Sequence, residues 1–143
     1  MAEPIAVIGE TVAPPPPLYK SADALPVLRL FHHNVYEYRR GVRSLFLMTV
    51  SRAELELVRG KLETQGIDHF VQDLNAVKAN LFFGGSAFVA VARSFVTRPL
   101  HALSAEQDFM LGTLLGYDCE QQCRRFLTRF GRGVPEKLSL APD

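Results

Sequence analysis

The chain has 143 residues, 48% of them hydrophobic and 22% charged, the size and make-up of a single globular domain. A formal net charge of +1 lacks the basic excess of a dedicated nucleic-acid binder, so nucleic acid is not an expected partner. Two cysteines are too few for a disulfide scaffold, and no apolar stretch approaches the length that spans a bilayer, so no membrane partner is expected.

Residues 1–27 read as a proline-rich flexible tail. Met1-Ala2-Glu3-Pro4 carries an acid and no Lys or Arg, and Ile5-Ala6-Val7-Ile8 is too short for a signal-peptide core, which together point to the cytoplasm. Pro14 to Pro17 favour a solvated polyproline II arm; a ligand for a proline-binding groove is the other reading.

A single α+β domain is expected over residues 28–132. Phe31, Val35 and Tyr38 fall on one helical face, with Asn34 as a cap for a short helix and Gly41 as its end. Ser44 to Val50 is almost continuously apolar, which predicts a strand covered on both faces and central in its sheet. Ser51 with Glu54 forms a capping box for a helix that buries Leu55, Val58 and Leu62 and ends at Gly66. Ile67 to Val71 is a second strand, and the helical crossover makes it parallel to the first.

Asn80 to Phe83 and Ala87 to Ala92 flank Gly84-Gly85, which predicts a tight hairpin with an exposed apolar edge strand. Such an edge calls for a covering element or a second copy of the chain. After Arg98-Pro99, Ser104 with Gln107 caps a helix with an apolar stripe of Phe109, Met110, Leu111, Leu114 and Leu115, and Gly116 stops it. Asp118 with Gln121 caps a last helix, on which Cys119, Cys123, Phe126 and Phe130 share a face. Residues 133–143 are read as a C-terminal tail. The fold class is thus α+β: a small mixed sheet of three or four strands, a β-α-β-β-β core packed by helices, with a C-terminal helical hairpin.

Three blocks carry a resemblance. They are His32-His33-Asn-Val-Tyr36-Glu37-Tyr-Arg-Arg40-Gly41-Val-Arg43, then Asn80-Leu-Phe-Phe-Gly84, then Glu106 through Asp118 followed by Gln122-Cys123-Arg-Arg-Phe-Leu127. Together they resemble a small bacterial family, domain-of-unknown-function family two thousand and twenty-three, over about residues 29 to 130. The resemblance implies an α+β homodimer whose gene lies beside a flavodoxin gene. It carries over no catalytic residue, and the proline-rich arm lies outside it.

Cys119 and Cys123 lie one turn apart, with Cβ atoms ~5–6 Å from each other where a disulfide needs ~3.8 Å. With no further cysteine to complete a zinc site, they read as small buried hydrophobes. His33 with Glu37, and His32 with Tyr36, share helical faces and make ligand-site candidates if Asp108 or Glu106 approaches them. Glu106 and Asp108 sit in a first helical turn, where the helix dipole accounts for them. Arg39, Arg40 and Arg43 beside Tyr36 form one basic stretch; Arg124, Arg125, Arg129 and Arg132 form another. These read either as solvated faces paired with the acids at 106–120 or as a surface for an anionic partner.

No phosphate loop, dinucleotide fingerprint, serine elbow or Cys-x-x-Cys pair appears, and no cofactor is expected. The leading expectation is an accessory, protein-binding homodimer whose partner-binding residues are Tyr36, Arg39, Arg40, Arg43, Arg124 and Arg125, and whose partner is an acidic redox protein such as a flavodoxin. The alternative is a metal- or small-ligand-binding enzyme or sensor built on His32, His33, Glu37 and Asp108.

Overall fold

The computed structural model describes residues 24–131; the proline-rich segment and the C-terminal tail, Arg132 included, lie outside the described residues. The first helix, α1 (Ala24–Arg39), starts before the expected boundary. Pro26 falls in its first turn, where backbone N–H groups have no intrahelical acceptor and proline is tolerated. Asn34 is buried within α1 rather than capping it, since the apolar face formed by Leu28, Phe31 and Val35 extends the helix upstream.

Strand β1 (Leu45–Ser51) leads into α2 (Arg52–Gln65), then β2 (Asp68–Asp73) and β3 (Lys78–Gly84). The capping box at α2 is formed: Glu54 N–H donates to Ser51 Oγ at 3.1 Å, and Ser51 N–H donates to Glu54 Oε1 at 2.9 Å. Leu55, Val58 and Leu62 are buried, as their spacing demands.

The sheet has three strands in the order β1-β3-β2, with both pairings antiparallel. Strands β1 and β2 do run the same way, as the α2 crossover requires, but β3 lies between them and bonds to both. The sheet is therefore antiparallel rather than mixed, and β1 is an edge strand rather than central. Its apolar run is explained by helices on both faces. Phe46, Met48 and Val50 join the core under α1 and α2, while Leu45 and Leu47 join the core under the later helices. Central β3 is buried from Ala79 to Gly84.

The glycine pair does not open a hairpin. Residues expected as a fourth strand form helix α3 (Ser86–Phe95). Its apolar residues Val89, Ala92 and Phe95 recur every third position on one buried face, and Ala87, Ala90 and Ala92 favour helix over strand. Gly84 adopts φ 149°, and a Cβ there would run into the Ser44 carbonyl, which accepts the Gly85 N–H at 2.8 Å. The glycines let the chain pass close to Ser44 on its way into α3. With no strand at 87–92, the apolar edge on which the covering argument rested is absent. The true hairpin joins β2 to β3, where Asn75 Oδ1 accepts the N–H groups of Val77 and Lys78, each at 2.8 Å.

A short 3-10 turn (Leu100–Ala102) precedes α4 (Ala105–Leu114) and α5 (Cys119–Gly131), which pack as the expected helical hairpin. The Ser104–Gln107 capping box is formed, and Asp118 Oδ2 accepts the Gln121 N–H at 3.0 Å at the head of α5. Leu111 and Leu115 of the expected α4 stripe are buried, while Met110 faces outward. The domain is thus α+β with three layers: α1 and α2, the sheet, then α3 with the α4–α5 hairpin. Among the described residues no helix is long and apolar enough to cross a membrane.

Candidate functional site

The C-terminal half of α1 and the turn after it carry most of the residues singled out in the sequence. Its buried face is fixed by Phe31 and Val35, which turns Tyr36 and Arg40 outward. Tyr36 is 57% exposed, and the Arg40 guanidinium lies 5.5 Å above its ring, with Nη1 donating to the Tyr36 hydroxyl at 2.8 Å. Arg39 donates to the side-chain carbonyl of Gln65 on α2 at 3.3 Å. Both guanidiniums therefore rest on neutral partners. Val42, one turn further, is 62% exposed.

Arg43 differs. It makes a forked contact with Glu37 Oε1, at 3.2 Å from Nε and 3.1 Å from Nη2, and lies 4.5 Å over the Phe46 ring. Its Nη1 also reaches the Leu115 carbonyl at the end of α4, at 3.4 Å. Glu37 is shared with His33, whose Nε2 lies 3.0 Å from Oε2, and His32 packs against the Phe31 ring. Arg43 and His33 thus consume the carboxylate that the ligand-site alternative needs.

Asp108 is engaged elsewhere. Arg125 clamps it with Nε–Oδ2 at 2.6 Å and Nη2–Oδ1 at 3.1 Å, and Arg129 adds Nη1–Oδ1 at 3.1 Å. Burial pushes the Asp108 carboxyl up, but the Arg125 hydrogen bond and the two positive charges outweigh it and hold the group below its ordinary value. The structure does not bring Asp108 to His32, His33 and Glu37. Among the described residues no group of three or more His, Cys, Asp or Glu could hold a metal. Arg124 pairs with Glu120 one turn away, at 2.6 Å.

Both cysteines are exposed, contrary to the core expectation. In the first turns of α5 it is Gln122 that faces α4, which leaves Cys119 and Cys123 on the solvent side, while further along Phe126 meets Phe109 edge-on at 5.7 Å. Residual desolvation, together with neighbouring Cys119 and Glu120, pushes the Cys123 thiol up, away from thiolate chemistry.

Asp108 and Arg125 also line a cavity of about 380 Å³ between β1, the 3-10 turn and the α4–α5 hairpin. His101, Tyr117 and Gln122 line it too; Tyr117 and Gln122 fall in the third resemblance block, but none of the three is a site candidate from the sequence. The one signal for it was Gly112, a glycine inside a helix where alanine is favoured.

Residues 29–129 match a family model described as "Protein of unknown function (DUF2023)". The chain belongs to this family. No curated protein matches it. The DUF2023 match runs from within α1 to within α5, so the Tyr36–Arg40 face, the Arg43–Glu37 pair and the Asp108 clamp all lie inside the family domain.

Proposed function

We propose that this DUF2023 domain is a cytoplasmic accessory module that binds an acidic protein through the C-terminal end of α1 and the turn after it. The observation that carries the reading is that Arg39 and Arg40 are held by a neutral amide and a phenol, so their charges are uncompensated, and they stand beside exposed Tyr36 and Val42. Tyrosine and arginine are the residue types that dominate protein-binding hot spots, and a basic surface steers an acidic partner to it. Arg43 props this face from beneath through Glu37. Arg124 and Arg125 of α5 contribute less, because Glu120 and Asp108 already sit on them.

An acidic redox protein of the flavodoxin kind, which the family resemblance suggests, is the partner to test, and the module acts as a homodimer. Calorimetric titration of the full chain with a flavodoxin from the same cell should give binding that Tyr36→Ala weakens about tenfold or more, the loss typical of a hot-spot aromatic. Wild-type chain that shows no heat and no complex at low salt contradicts the reading, as does a Tyr36→Ala variant that binds unchanged.

A further inference from the structure

We infer that the cavity beside the α4–α5 hairpin is a binding site for a small monocarboxylate with an apolar body, independent of the protein-binding face on α1. Its walls are apolar: Leu47 from β1, Leu103 after the 3-10 turn, and Leu111 and Leu115 from α4. At about 380 Å³ it falls within the range of small-molecule sites, which pair apolar walls with a few convergent polar groups.

Gln122 supplies the first polar group. It is only 9% exposed, and its side-chain amide makes no hydrogen bond among the described residues, although it lines the cavity. Its amide atoms are not sealed off without a partner, unlike Arg59 Nε, so they open onto the cavity and can bond to an occupant there. The amide lies directly against Gly112, where any side chain would collide with it. An interior helical glycine costs up to about 1 kcal/mol relative to alanine. The pairing of Gly112 with Gln122 therefore gives up helix stability to hold a polar group in an apolar wall.

Arg125 supplies the charge. Its Nε and one Nη2 hydrogen are spent on Asp108, which leaves further N–H donors on a guanidinium that also lines the cavity. Asp108 faces two guanidiniums, Arg125 and Arg129, so the lining carboxylate is more than neutralised and the clamp is net positive. A carboxylate fits this arrangement. It accepts from Arg125 and from the Gln122 amide, while its hydrocarbon body covers the leucines.

The test is a titration of the isotopically labelled full chain with phenylacetate and, separately, with its neutral twin phenylacetamide, followed at the backbone amides of Gly112 and Gln122. Phenylacetate should shift both signals saturably, and phenylacetamide should bind at least about tenfold more weakly, as expected for loss of a charge-assisted hydrogen bond. Gln122→Leu, which keeps the volume and removes the amide, should weaken phenylacetate about tenfold. Gln122→Glu, nearly isosteric, should abolish binding by charge repulsion and serves as the decisive variant if the leucine variant does not fold. No saturable shift, equal affinity for the two twins, or unchanged affinity in the Gln122→Glu variant would overturn the inference.

Discussion

Asp108 is pulled in two directions. Burial works against its charge, and Arg125 and Arg129 work for it; the arginines win, so its folded value lies below the ordinary 3.8. The clamp contributes fully above the unfolded value and is lost as pH falls through the lower folded one. Asp108→Asn should therefore cost on the order of 1–2 kcal/mol at neutral pH, between the worth of an exposed and a buried pair, and should flatten the acid limb of the stability curve. Urea melts across the acid range would show this; an unchanged acid limb would contradict it. Asn80 makes a second residue-level case. It is buried at the centre of β3, accepts from Thr49 Oγ1 at 2.7 Å, and donates to Gln72 Oε1 at 3.0 Å, whose own amide reaches the Arg98 carbonyl at 2.7 Å. Asn80→Leu would remove the donor to Gln72 Oε1 and the acceptor of the Thr49 hydroxyl, and should lower the urea midpoint by the equivalent of about 1 kcal/mol with an unchanged slope.

Among the elements, α3 separates two readings of the same letters. Ala87 to Ala92 is an unbroken apolar run, and a short run of that kind fits a strand and a buried helix equally well. The glycine pair before it favours a hairpin on local grounds; only the close approach of Ser44 explains why glycine stands there. The capping boxes at Ser51–Glu54 and Ser104–Gln107 were legible because each is a local bargain between residues three apart. Strand order was not, because nothing in the letters of β1 or β2 says that β3 will pass between them. Val91, 44% exposed on α3, offers a direct check. In a helix Val91→Ala should be neutral or stabilise by a few tenths of a kcal/mol, and Val91→Pro should cost about 3 kcal/mol or more. A marked loss of stability on Val91→Ala would fit a strand instead.

At the scale of the whole molecule, the sheet keeps two sets of polar residues apart. Tyr36 and Arg39 ride on α1, with Arg40 in the turn just after it, and α1 packs on one core, while Asp108, Gln122 and Arg125 belong to the hairpin packed on the other. Part of this was readable: the basic stretch, the acids at the head of α4, and the pairing of α5 arginines with those acids. What was not readable was that Glu37 and Asp108 serve different arginines on different elements, or that Gln122 enters a wall of leucines, because such contacts depend on tertiary placement rather than spacing.

The central claim is that Arg39 and Arg40 present uncompensated charge to an acidic partner. The most direct measurement is the rate of association of the full chain with a flavodoxin as ionic strength is raised, for the wild type and for the Arg39→Glu, Arg40→Glu double variant. The account predicts a wild-type rate that falls steeply with salt and a variant rate that is lower at low salt by about tenfold or more and nearly flat. Rates that are equal in the two proteins, or a wild-type rate indifferent to salt, would contradict it.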